Sequence, residues 1–175
     1  MANTSSRKTL KRICIAGLLM AMNIIMSSSL LSVPVPGGHL YMNDIVICAA
    51  SIILTPAYAF AVGGIGAFVG DMLFYPTPMF VSLVTHGLQA VVISVFAHYL
   101  LKKHKAFSSG IGVTLGAVIN VVGYSVGRAW IYSTPEYAVA KMPFQILQAV
   151  VGAVLGMIIV YPLGLGKLAK KMQID

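Results

Sequence analysis

Asn120, Tyr124 and Arg128 recur every four residues along one apolar stretch. Lys141, Gln145 and Gln148 recur at i, i+4 and i+7 along another, and His86 and Gln89 stand three apart on a third. These spacings put each set on one helical face. Asp71 and the Asn43-Asp44 pair add carboxylates and an amide at the ends of two further apolar runs. Amide, imidazole and carboxylate groups together read a small molecule that has both hydrogen-bond donors and acceptors. Arg128 and Lys141 would receive an anionic group, unless Asp71 and Glu136 compensate them. Burial of such groups unpaired costs a few kcal/mol each, so a site built from them discriminates well.

Each residue also has a structural alternative. Asp71 and Arg128 would make an ion pair, His86 would sit as a bonded core histidine, and Gln145 and Gln148 would bond between helices. Asp44 after Asn43 would cap a helix, where its charge favours the positive dipole end. The argument for a site is coincidence of depth, and that depends on the elements that carry these residues.

The chain has 175 residues, is 58% apolar and only 9% charged, and has a mean hydropathy of +0.90. That composition belongs to membrane proteins. A span needs about 20 apolar residues. Residues 13–31, 79–101, 111–131 and 144–163 fit. The stretch 45–74 is too long for one span, and Thr55-Pro56 lies near its middle. Ten of the twelve Lys and Arg residues lie in three groups: Arg7, Lys8, Lys11 and Arg12; Lys102, Lys103 and Lys105; Lys167, Lys170 and Lys171. Cytoplasmic loops carry such an excess. All three groups lie inside only if the stretch is split into helices at about 45–55 and 57–75. The reading is an all-α integral membrane protein, one domain over 1–175, with six spans and both termini cytoplasmic, in a bacterial plasma membrane.

In this topology the polar residues gather in the outer halves of five helices, while the inner halves are apolar. Intramembrane polar groups are costly and mark function. The pattern describes a pocket open to the outside and closed below, with Tyr41, Tyr75, Trp130 and Tyr132 at its rim unless they form the ordinary interfacial belt. An aromatic wall would suit a flat heteroaromatic ring. The outer connections are then 33–43, with Pro34, Pro36, Gly37 and Gly38 and no helix period, a tight turn over 75–78, and 132–143. The first is a candidate lid. Pairs of small residues four apart (Gly17 and Ala21, Gly66 and Gly70, Gly112 and Gly116, Gly152 and Gly156) let helices approach closely.

Several classes are excluded. There is no phosphate-binding loop, so the chain does not hydrolyse ATP, and Gly64 to Gly70 has neither a preceding strand nor a following Lys. Neither metal-ligand spacing nor a nucleophile motif appears, and Cys14 and Cys48 read as free thiols in apolar segments. Neither a catalytic residue, a metal nor a cofactor is expected. The net charge of +8 flanks spans and suits anionic lipid rather than nucleic acid. A pocket on one side, without repeated halves, argues against a channel or a complete carrier. The competing reading is a non-transport membrane subunit, or an enzyme acting on a lipid.

The run P-G-G-H-L-Y-M-N-D from Pro36 to Asp44, G-G-I-G-A-F-V-G-D from Gly63 to Asp71 and T-H-G-L-Q from Thr85 to Gln89 resemble the substrate-binding S components of energy-coupling factor (ECF) vitamin transporters. The resemblance covers nearly the whole chain and is to the branch with riboflavin, hydroxymethylpyrimidine and pyridoxine-type substrates. It implies high-affinity capture of a vitamin at the outer face, and release driven by a transmembrane T component and two cytoplasmic ATPases. Hydroxymethylpyrimidine, a thiamine precursor, or a vitamin B6 form is the first expectation, riboflavin or pantothenate the next. The expected ligand contacts are the polar residues read above, Asn43, Asp71, His86, Gln89, Asn120, Tyr124, Arg128, Gln145 and Gln148, and the resemblance implies a pocket at the outer ends of helices 4 to 6 and the helix 1–2 loop, in agreement with them. It also implies docking of the T component on a small-residue stripe at Ala16, Gly17 and Ala21, where the family pattern usually has Ala-Ala.

Overall fold

The computed structural model describes residues 4–28, 31–36, 38–101 and 103–172. Gly37 of the expected lid and Lys102 of the second basic group lie outside the described residues. The elements run α1 (Thr4–Met26), β1 (Val33–Val35), β2 (Gly38–Leu40), α2 (Asn43–Ile53), α3 (Pro56–Phe74), α4 (Met79–His98), α5 (Lys105–Tyr132), α6 (Pro135–Val160) and α7 (Leu165–Lys171). Among the described residues, five helices (α1, α3, α4, α5 and α6) are long and apolar enough to cross a membrane, and α2 is a shorter apolar helix.

The break between α2 and α3 has a local cause. Pro56 cannot continue α2, and it disfavours helical backbone at Thr55. Leu54 and Thr55 are both extended, and Pro56 opens α3 at its first turn. Ser94 of α4 donates to the buried Leu54 carbonyl at 2.6 Å. A π-helical turn at Ala61–Ile65 interrupts α3. There Asn23 of α1 donates to the Val62 carbonyl at 2.6 Å, which accounts for a fully buried amide in an otherwise apolar helix.

The glycine pairs act as packing surfaces. A Cβ on Gly66 or Gly70 would collide with Asn23 or Ser27 of α1, and on Gly112 or Gly116 with Phe96 or Ile93 of α4. On Gly152 or Gly156 it would collide with Asp44 or Cys48 of α2. The apolar core (Cys48, Ile53, Leu54, Val62, Ile93, Val113 and Val160 among others) fills the half of the bundle nearer the basic groups. The buried serines there, Ser51, Ser94 and Ser108, donate to backbone carbonyls, and Ser109 bonds the Tyr161 hydroxyl.

Three expectations change. The connection 33–43 is an antiparallel hairpin pairing Val33 with Leu40, Pro34 with His39 and Val35 with Gly38. The sequence shows no helical period there because the segment pairs as a β-ribbon of two three-residue strands. The connection expected over 132–143 is helical from Pro135, capped by the Thr134 hydroxyl accepting from the Tyr137 amide. Pro143 lies inside α6 rather than before it. Ala16 points into the core, so it does not share the exposed face of Gly17 and Ala21.

Candidate solute-binding site

The N-terminal ends of α2, α4 and α6, the C-terminal ends of α1, α3 and α5, and the hairpin meet at one end of the bundle around a cavity of about 340 Å³. Asn43, Asp71, His86, Tyr124, Arg128, Gln145 and Gln148 line it. Gln89 and Asn120 do not. They lie beneath it, fully buried.

The floor is a network centred on Asp44, 1% exposed. Its Oδ1 accepts from Gln89 Nε2 and Asn120 Nδ2, each at 3.0 Å, and its Oδ2 accepts from Gln148 Nε2 at 2.7 Å. The carboxylate is an acceptor only, so it fixes which way all three amides face. Gln89 Oε1 is therefore left as an acceptor, and His86 Nδ1 donates to it at 2.8 Å. This sets the tautomer of a neutral His86, whose Nε2 is then the acceptor. Asn120 Oδ1 accepts from Gln145 Nε2 at 2.6 Å, and Gln145 Oε1 accepts from Arg128 Nη2 at 3.3 Å. The chain of bonds thus runs from α2 through α4, α5 and α6.

One wall is made by Asp71, which accepts from the Ser82 hydroxyl. The Tyr124 hydroxyl donates in turn to Ser82 Oγ. The Arg128 guanidinium carbon lies 6.0 Å from the centroids of both the Tyr124 and Tyr132 rings. A four-residue repeat drifts by about 40° per step around a regular helix. The wider π-helical turn at Arg128–Tyr132 offsets that drift, so Tyr124, Arg128 and Tyr132 all reach the cavity. Lys141 Nζ donates to the His39 carbonyl at 2.7 Å, and Gln148 Oε1 accepts from the Tyr41 amide at 2.9 Å. Two cavity residues therefore tie down the hairpin.

Several alternatives fall at this point. Among the described residues, Arg128 forms no ion pair with Asp71, and Lys141 forms none with Glu136; the ion-pair geometry present is His86 with Asp44 at 3.7 Å. Asp71 is engaged by a hydroxyl, and Glu136 sits in the first turn of α6. Trp130 is 75% exposed on the outer surface and is not a rim residue, whereas Tyr41, Tyr75 and Tyr132 line the cavity. Sequence reasoning left Asp44 as a possible cap and did not single out Ser27, Ser82 or Tyr137. Ser82 lies four residues before His86, on the same face, which was the available signal.

A multi-pass helical membrane protein with a polar cavity at one end of its bundle has the architecture of a solute-binding subunit. A family model for the S component of ECF-type riboflavin transporters matches residues 7–165, and the chain belongs to that family. It is a substrate-binding transport subunit of the cell membrane and not an enzyme; S components work with a T component and ATPases. The chain is also 29% identical over 150 residues to an uncharacterized protein in the gap 3′ region of Pyrococcus woesei, covering 85% of this chain and 95% of that one.

Proposed function

We propose that the cavity captures a small water-soluble vitamin or precursor, in the first instance one with a flat heteroaromatic ring. The observation that carries this is the convergence of polar side chains from α2 to α6 on one cavity of about 340 Å³. That volume is at the small end of ligand pockets, which run from roughly 300 to 1,000 Å³. Tyr41, Tyr75, Tyr132 and Tyr137 offer aromatic faces for the ring, and Asp71 and the His86 imidazole offer polar contacts. The family description favours the ring system of riboflavin. The residue pattern by itself favours the single rings of hydroxymethylpyrimidine or a B6 form, with pantothenate a further candidate.

Asn43, Asp71, His86, Tyr124, Arg128, Gln145 and Gln148 contact the ligand in this reading, while Gln89 and Asn120 hold the floor that orients them. The chain acts as one membrane domain of six spans with the hairpin end outside. Release requires the T component and two ATPases, docked on the exposed small-residue face of α1 at Gly17 and Ala21.

The test is a melting transition of the purified protein in detergent against these vitamins, with mass spectrometry of any compound that co-purifies. Stabilisation by one ring compound supports the reading. A transition that none of them moves, in protein carrying no small molecule, refutes it.

A further inference from the structure

Among the described residues, no acidic group pairs with the two cations that line the cavity. Arg128 and Lys141 are 6% and 4% exposed. Among the described residues, the partners of both are neutral: Lys141 Nζ donates to the His39 carbonyl, and Arg128 Nη2 donates to Gln145 Oε1. Arg128 Nη1 is buried with no hydrogen-bond partner among the described residues. The carboxylates of the site are committed elsewhere, Asp44 to three amides and Asp71 to the Ser82 hydroxyl. Gln145 links the two cations, since it bonds Arg128 and stands one helical turn from Lys141.

We infer that the captured solute carries an oxyanion, a carboxylate or phosphate monoester, and that this group seats between Arg128 and Lys141 with Arg128 Nη1 as its donor. The inference rests on reading the cavity as a vitamin site and narrows the ligand class. A guanidinium presents its donors as a planar fork that matches such groups. The fork here lies 6.0 Å from the Tyr124 and Tyr132 ring centroids, with Nη2 on Gln145, the Tyr132 side chain also interacting with the guanidinium, and Nη1 buried without a partner of hydrogen-bond geometry. A neutral acceptor would fill the open prong but leave two neighbouring buried charges uncompensated, and uncompensated buried charge is strongly unfavourable. Asp71 also lines the cavity and is an acceptor. The complementary ligand is therefore dipolar, with the oxyanion at the Arg128 end and an N–H or O–H donor toward Asp71.

The test compares matched compounds by titration calorimetry: riboflavin with riboflavin 5′-phosphate, and pyridoxine with pyridoxine 5′-phosphate, with pantothenate as a carboxylate that lacks a ring. The protein is held in nanodiscs of phosphatidylcholine, then in nanodiscs containing phosphatidylglycerol. In phosphatidylcholine, the phosphorylated member of at least one pair, or pantothenate, binds at least about tenfold more tightly than the neutral compounds. Arg128→Gln lowers the ratio of phosphorylated to neutral binding toward one, whatever it does to the overall affinity, and Lys141→Gln serves if Arg128→Gln does not fold.

Equal or tighter binding of the neutral members in the wild-type protein overturns the inference and leaves the vitamin-site reading standing. Loss of the phosphorylated compounds alone in phosphatidylglycerol, with no preference for them in phosphatidylcholine, assigns the seat to a lipid headgroup and overturns it for the solute. Binding of none of the compounds overturns the vitamin-site reading, and this inference with it.

Discussion

Asp44 Oδ1 accepts the side-chain amide of Asn120 at 3.0 Å, joining residues 76 positions apart in the chain. The bond connects the start of α2 to the middle of α5, beneath the cavity. A carboxylate here is more than a helix cap. It accepts from three amides on three helices, and through Gln89 it makes His86 Nδ1 a hydrogen-bond donor. The polar face shown to a ligand is therefore ordered by a residue outside the cavity lining.

Asp44→Asn tests this order. An asparagine of the same shape turns an NH₂ group toward one of three donors, so at least one hydrogen bond becomes a repulsive pair. Stability falls by on the order of 2 to 3 kcal/mol, read as a lower melting temperature in detergent. Ligand affinity falls with it, because Gln148 and His86 lose their fixed orientation. An unchanged melting temperature contradicts the role given to Asp44.

Gln148 ties the hairpin to the floor, accepting from the Tyr41 amide while donating to Asp44. Gln148→Ala leaves both without that partner and costs about 1 to 3 kcal/mol. With only the Lys141 bond to His39 left among these two tethers, the hairpin opens more often. Limited proteolysis should cut more readily within 33–41, and bound ligand should dissociate faster in stopped-flow. Equal cleavage rates would show that the tether does not hold the hairpin.

Glycines on opposite surfaces should behave differently. A Cβ on Gly152 overlaps Asp44, including its backbone carbonyl carbon at 3.1 Å, whereas a Cβ on Gly17 meets nothing within 4 Å among the described residues. Gly152→Ala therefore forces α2 and α6 apart, at a cost of about 1 to 3 kcal/mol. Gly17→Ala stays within about 0.5 kcal/mol of the parent. Paired thermal melts check the contrast.

Much of this arrangement was legible in the residues. The four-residue repeat through Asn120, Tyr124 and Arg128, and the set Lys141, Gln145 and Gln148, could be read because helical period fixes a face directly. Pro56 announced the break after α2 for the same local reason. What stayed hidden depended on tertiary partners. Asp44 has the sequence context of a cap, and only the approach of α4, α5 and α6 turns it into the centre of a network. Asn120 and Gln89 share faces with cavity residues but lie one layer deeper, a difference in depth that periodicity does not report. The hairpin was obscured because strands of three residues are too short to show alternation. The π-helical turn that keeps Tyr132 on the cavity side, with Trp130 outside, leaves no periodic signature in five residues.

Binding and partner docking should separate under two substitutions. Arg128→Ala removes the guanidinium from the cavity wall, more than 20 residues of helix away from the basic end of α5, and touches nothing on α1. Its ligand affinity should drop at least about tenfold, while co-purification with the T component and ATPases stays intact. Gly17→Leu places bulk on an exposed face of α1, beside Ala21 and away from the cavity. It should leave vitamin affinity near the parent value and prevent close approach of a partner helix, so co-purification and ATP-dependent uptake are lost together. The two readouts must move independently. If Gly17→Leu weakened ligand binding as much as Arg128→Ala did, α1 would be coupled to the cavity through its contacts with α3, and a docking face distinct from the binding site would not exist.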